Sequence, residues 1–286
     1  MNIPRAKQLQ IQGPDRKMCY GGDQRWFSSN TKAAGGCGSV AGANALRSLA
    51  RVNKDFRDQI IRSKTIPAPV KDALCSVNPG HESFPLLMTG VYETMGSFEI
   101  FPLNLIYDRR ERSSKLFSRL KSTLGLTNTG FIIGIIRFAR KFSINLTVRS
   151  CPAAFLSKEK AKEFISEGLK ESGSVVLLTC FNRHNARLFP ADADLDTRLI
   201  DGSDSPVKSH FTTITDIDGD RLLITTWGKP GIIDLNELAG SWRSIKAYEA
   251  SLMYLQPAST RKEATSAMLG AWKIFMAGIG HALVRR

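Results

Sequence analysis

Apolar positions change their period partway along the chain. From Ser39 to about Arg51 the run SVAGANALRSLAR places Val40, Ala43, Leu46 and Leu49 or Ala50 at intervals of three and four, the repeat of one helix face. Gly36-Cys37-Gly38 therefore stands at or just before a helix N-terminus. After the Pro-containing KTIPAPVKDAL, the segment FPLLMTGVYETM sets Leu86, Leu87, Val91 and Met95 on a second helical face, and LSKEKAKEFISEGLKES predicts a further helix beyond Ser150. The texture then changes. SVVLLTCF, HFTTITDI, RLLITTW, GIIDL and KAYEASLMYL are short runs rich in Val, Ile, Thr and Tyr, divided by Asp-Gly and Lys-Pro-Gly turns, and they predict consecutive antiparallel strands. Helices first and a sheet second is the order of an α+β fold.

The two ends read differently from the middle. The first two dozen residues are polar and turn-rich and form an arm that leads into the fold at Tyr20-Gly21-Gly22-Asp23-Gln24-Arg25-Trp26-Phe27. The tail SAMLGAWKIFMAGIGHALV carries Leu269, Trp272, Met276, Ile279 and Leu283 on one helical stripe, with Lys273 and His281 interrupting any spanning segment. It is expected to dock on the domain, the other reading being an amphipathic anchor for an anionic surface or a partner groove. The division is one domain over residues 1–256 and a C-terminal amphipathic helical tail over 257–286, with no internal repeat.

Composition narrows the classes. A chain of 286 residues with 42% hydrophobic residues can bury a core, which excludes disorder as the main state, and Gly and Pro without a period exclude a collagen-like chain. Forty Lys and Arg against 26 Asp and Glu give a formal charge of +14, which admits nucleic acid, anionic membranes and acidic partners. Much of the excess lies between Asp108 and Arg149. Its densest run, RRERSSKLFSRLK, interleaves only Phe117, so it reads as a solvated basic helix face suited to an anionic surface and not as a nucleic-acid module. The amino terminus has no secretory apolar run, and the expected location is cytoplasmic, or exported without a cleavable signal.

The five cysteines, Cys19, Cys37, Cys75, Cys151 and Cys180, are odd in number and scattered, a poor disulfide framework. With no Cys-x-x-Cys or His-x-x-x-His pair, no metal is expected. Gly36-x-Gly38-x-x-x-Gly42 is a loose match to a dinucleotide turn, which needs a preceding buried strand and an acidic residue about twenty positions on; Phe27 to Gly35 is polar and no strand feeds it, so no cofactor is expected either. Cys37 is the residue with chemistry. A thiol at a helix N-terminus between two glycines has free backbone N–H groups and the helix dipole to favour its thiolate. His210, opening the strand-like HFTTITDI, is the best placed of the four histidines to serve it, since His81 lies in a Pro-Gly loop, His184 in a polar segment and His281 in the tail. Asp216, Asp218 and Asp220 read as turn residues.

Trp26, then Gly36-Cys37-Gly38-Ser39-Val40-Ala41 and its helix, then His210 opening a strand and Thr226-Trp227-Gly228 ending the next, together resemble the papain-like cysteine peptidases, most of all the branch similar to bacteriocin-leader (double-glycine) peptidases. The resemblance covers the Cys37 helix and the strands from about Ser174 to Leu255. It implies a papain-like α+β architecture, with a helical layer packed on a late antiparallel sheet and a cleft between them, and thiol attack on an amide or thioester carbonyl. Trp227 and Gly228 match the late Asn-Ser-Trp-Gly motif of papain itself, which puts Thr225 where the imidazole-orienting Asn would stand. It implies an oxyanion hole formed by the Cys37 amide and a Gln upstream of it, for which Gln24 is the choice and Asn30 the reserve.

The resulting expectation is a cysteine hydrolase acting on a peptide or protein substrate, with Cys37 as nucleophile, His210 as proton shuttle, Gln24 on the oxyanion and Thr225 orienting His210. Hydrolysis, deamidation and acyl transfer share the first step. The contrasting expectation, raised by the missing Asn, is an inactive papain-like binding module that recognises an anionic or protein partner.

Overall fold

The computed structural model describes residues 6–28, 30–95, 98–100, 103–106, 128–152, 156–179, 187–191, 210–241 and 250–258. A small hairpin, β1 (Gln10–Gln12) and β2 (Met18–Tyr20), precedes the short helix α1 (Asn30–Gly35), and then α2 (Cys37–Val52), α3 (Lys54–Arg62), α4 (Ala68–Cys75) and α5 (Ser83–Thr94) follow. A second hairpin, β3 (Phe98–Ile100) with β4 (Leu103–Ile106), leads to α6 (Asn128–Lys141), β5 (Leu146–Pro152) and α7 (Lys158–Ser172). The remainder is β6 (Val175–Leu178), β7 (Phe189–Pro190), β8 (Phe211–Asp218), β9 (Arg221–Thr226), β10 (Lys229–Asp234), α8 (Leu235–Ser241) and β11 (Ser251–Pro257). The fold is mixed α+β, with one antiparallel seven-stranded sheet in the order β5-β11-β6-β8-β9-β10-β7.

Alternation along the central strands explains how the layers stack. Val176 and Leu178 of β6 and Met253 and Leu255 of β11 join one core with Leu46, Leu49, Leu87, Val91, Phe131 and Phe138 from the helices. Their neighbours Val175, Leu177, Leu252 and Tyr254 point the other way and join a second core with Ile165 and Leu169 of α7 and Leu238 of α8. A strand with a period of two offers both faces, and VVLL and LMYL are apolar on both, so the sheet is covered on both sides. The arrangement thus adds a layer, α7 and α8, to the helical layer and sheet expected from the sequence.

Other expectations fare unevenly. The Cys37 helix, α5, α7 and strands β6, β8, β9, β10 and β11 lie where the periodicity places them. Leu86 does not join the buried face of α5, where Phe84, Leu87, Met88 and Val91 point inward, and it is 48% exposed. β5, absent from the sequence reading, forms the sheet edge by pairing with all seven residues of β11. The basic run 109–121 and the tail from residue 259 lie outside the described residues, as do Cys180, His184 and His281. Among the described residues no helix is long and apolar enough to cross a membrane.

One buried cation ties the helical layer together. Arg47, in the middle of α2 and 1% exposed, donates to Ala73 O at 2.6 Å and to Val77 O at 3.2 Å, at and beyond the end of α4. Carbonyls left unpaired at a helix C-terminus are the groups that suit a guanidinium.

Candidate active site

Cys37 is the first residue of α2, and its position is set by packing behind it. Gly36 has no room for a side chain, because a Cβ there would lie 2.3 Å from the Phe27 ring and 2.6 Å from Lys32 O. Phe27 in turn packs against Tyr92 of α5 with ring centroids 5.3 Å apart, so the turn before the helix is wedged in place. The backbone amides of Phe211, Gly38 and Cys37 itself lie near the sulfur and favour the thiolate. Burial outweighs them and holds the thiol above its ordinary value. Phe211 is the residue after His210, so the start of β8 is laid directly against the head of the Cys37 helix.

His210 is buried, 6% exposed, and both sides of its backbone are fixed by Thr179. Its N–H donates to Thr179 Oγ1 at 3.0 Å, and its carbonyl accepts from Thr179 N at 2.9 Å. The imidazole Nε2 is 2.7 Å from Thr226 Oγ1, and the ring stacks on Trp227 at 4.4 Å and 18°. Trp227 and Gly228 make the two-residue turn between β9 and β10, closed by the Lys229–Thr226 pair. Both have positive φ, 49° and 71°, the backbone of a type I′ hairpin turn. A Trp in that conformation is strained; its stack on His210 gives the strain a partner at the site.

The arm supplies the third side. Tyr20 N donates to Gly228 O at 2.9 Å and Gly228 N donates to Gly22 O at 3.0 Å, which pins the arm to the Trp227-Gly228 turn. Gly22 N donates to Asn44 Oδ1 at 3.0 Å, and Asn44 Nδ2 donates to Thr213 Oγ1 of β8 at 3.3 Å. Asp23 then caps the short turn Gln24–Trp26 by accepting from Arg25 N at 2.9 Å, and it also pairs with the Arg25 guanidinium. This turn presents Gln24 to the cavity that Cys37, His210, Asn44, Thr226 and Trp227 line. The cavity is narrow, about 10 Å³, room for roughly one water molecule.

Cys37, Gln24 from the arm and His210 from just before β8 therefore line one cavity. Thr225 also lines the cavity, but it is not the orienting residue. Its hydroxyl donates to Tyr20 O, and the side chain on His210 Nε2 is Thr226. The physical reason is strand alternation: neighbours on β9 face opposite sides of the sheet, so a shift of one residue in the motif exchanges the arm for the imidazole. Asn30 opens α1, and its side chain lies outside the described residues. Asp220 belongs to an ion-pair cluster with Lys158 and Lys162 that holds its carboxyl far below the usual range, while Asp218 is exposed at the β8–β9 turn. His81 stands 3.8 Å from Glu82 in its loop. Thr226 and Asn44 are the residues the sequence reading missed. Thr226 sits beside the Trp-Gly turn, and Asn44 is seven positions from Cys37, two turns on along the same helix face.

The arrangement can do thiol chemistry. A cysteine sulfur, an imidazole whose Nε2 meets a hydroxyl, and the backbone amides of a helix start form one constellation. No protein-family model matches the chain, and no curated protein matches it.

Proposed function

We propose that the protein is a papain-like cysteine hydrolase acting on a peptide or amide bond, with Cys37 and His210 as its catalytic pair. The observation that carries this reading is the convergence of Cys37, His210 and Gln24 on one cavity, with the Phe211 amide near the sulfur and Thr226 Oγ1 on the imidazole Nε2. A first long helix bearing the thiol, packed on an antiparallel sheet bearing the histidine and a Trp-Gly turn, supports the papain-like assignment.

In this reading the thiol is protonated at rest, because burial raises it, and His210 takes the proton as the sulfur attacks the carbonyl carbon. The carbon–oxygen π bond opens, and the oxyanion is held by the Cys37 amide and Gln24. Collapse breaks the carbon–nitrogen bond, the amine leaves with the proton from His210, and a thioester remains on Cys37. Water, activated by His210, then hydrolyses the thioester and restores the thiol.

Alkylation with iodoacetamide, read cysteine by cysteine by mass spectrometry, tests the pair. The expected result is that Cys37 reacts fastest of the five thiols and that His210→Ala removes this lead; equal labelling of all five refutes the reading. The narrow cavity and the hydroxyl in place of an amide favour a second reading, an inactive binding module of the same architecture. That reading predicts a Cys37 no faster than Cys75 or Cys151 and unaffected by His210→Ala.

A further inference from the structure

We propose that Asn44 is a positioning residue for this chemistry: it fastens the arm that carries Gln24 to the helix that carries Cys37, and it acts on the reaction through Gln24. The inference rests on the thiol-hydrolase reading and adds to it a residue with no counterpart in the motif that suggested that reading.

Asn44 is 1% exposed in the interior of α2, a place where Ala is the better helix former and a buried carboxamide is unfavourable unless both its ends are paired. Both are paired, and neither partner is local. Its oxygen accepts from Gly22 N, 22 residues away, and its nitrogen donates to Thr213 Oγ1, 169 residues away. Thr213 lies three residues after His210 and pairs in register with Thr225, whose hydroxyl donates to Tyr20 O. Tyr20 and Gly22 both bond Gly228. The bonds thus close a ring from α2 to the arm, to the β9–β10 turn, across the sheet and back to α2, with Asn44 as the only member on the Cys37 helix. The arm is pressed onto this amide: Gly21 has φ +77°, and a Cβ there would lie 2.7 Å from both polar atoms of Asn44. Gln24 follows Gly22 by two residues, so the Gly22–Asn44 bond sets how far the Gln24 carboxamide stands from the sulfur.

Two reactions of the same thiol separate this role from general support. N-acetylglycinal, which bears no side chain beside the reacting carbon, adds reversibly to Cys37. The carbon–sulfur bond forms as the carbonyl π bond opens, and the thiol proton passes through His210 to the new oxygen, giving a hemithioacetal whose oxygen sits where the oxyanion hole acts. Iodoacetamide forms its carbon–sulfur bond with loss of iodide and develops no oxyanion. Gln24→Ala and Asn44→Ala are each expected to weaken the aldehyde adduct by about tenfold or more while changing the alkylation rate by less than about twofold. The double variant is expected to be no weaker than Gln24→Ala alone, because the two act as one unit. Losses that multiply in the double variant overturn the proposal, as does an Asn44→Ala alkylation rate that falls as far as its aldehyde affinity. If Asn44→Ala fails to fold by circular dichroism, Thr213→Val keeps the side-chain volume and the Gly22 bond. It is expected to show the same split at smaller amplitude, and equal loss in both reactions overturns the proposal. A wild-type protein that neither traps the aldehyde nor alkylates at Cys37 refutes the thiol-hydrolase reading itself, a result distinct from any difference between variants.

Discussion

Replacing Thr226 with Val removes one hydroxyl and little else. The side chain is 3% exposed and its Oγ1 is 2.7 Å from His210 Nε2, so a ring nitrogen loses its partner where water has scant access. Leaving a buried polar group unpaired costs about 1–3 kcal/mol. In the proposed reaction the ring becomes an imidazolium in which both nitrogens donate, so the loss falls more heavily on the charged form than on the neutral one. At 1.36 kcal/mol per tenfold change, the His210-dependent part of Cys37 alkylation falls by roughly five- to a hundredfold. The assay is the second-order rate of iodoacetamide alkylation at Cys37 across pH, for wild type, Thr226→Val, Thr226→Ser and Thr225→Val. Serine keeps the hydroxyl and is expected to retain most of the rate. Valine at 225 removes only the bond to Tyr20 O and is expected to cost about 1 kcal/mol of stability with the pH profile intact. A Thr226→Val protein as fast as wild type, beside a slow Thr225→Val, would refute the assignment.

Three further outcomes follow from the packing and the titrating groups. Gly36→Ala forces a Cβ against Phe27 and Lys32 O, so it is expected to cost about 1–3 kcal/mol in urea unfolding and to slow Cys37 alkylation by displacing the helix start. Arg47→Ala removes the charged hydrogen bonds to Ala73 O and Val77 O, worth about 1.5 kcal/mol or more each, with a longer one to Gln10 O, and a loss under about 1 kcal/mol in urea unfolding would show that those carbonyls find other partners. Burial raises the thiols of Cys19, Cys37, Cys75 and Cys151 above 9.0, and burial with the nearby Glu167 pushes Tyr254 up to about 12. Each keeps its proton in the fold after the unfolded chain has released it. Stability is therefore full below pH 9 and falls as pH climbs toward 12, which urea midpoints measured across that window would register as a steady decline.

The legible parts of this molecule are those with a local period. The α2 helix and its Cys37 start could be read from apolar spacing, and β6, β8, β9, β10 and β11 from short Val- and Thr-rich runs between turns, because each signal lies within a dozen residues. β5 was not legible: LTVRSCP follows a basic, apolar helix without a turn of Gly or Pro, and only its pairing with β11 makes it a strand. The arm looked like a polar lead-in because its partners are Gly228, Asn44 and Gly173, all far away in sequence. Gln24, thirteen residues before the thiol, still reaches the cavity, because Asp23 caps a tight turn and Phe27 anchors the next residues on Tyr92.

The misplacement of Thr225 shows what a motif leaves undetermined. Counting back from Trp-Gly gives a position, but the residue facing the imidazole is decided by the side of β9 on which it stands. That side is decided by the register of β8 against β9, which shifts between Ile214 and Asp216. The irregularity lies on the His210 strand, one residue beyond the Thr213 that bonds Asn44 and pairs with Thr225. The two threonines thereby divide the work of holding the site. Thr225 fixes the arm through Tyr20 O and Thr226 fixes the imidazole, so the same dipeptide that departs from the Asn of the peptidase motif links both halves of the constellation to one strand.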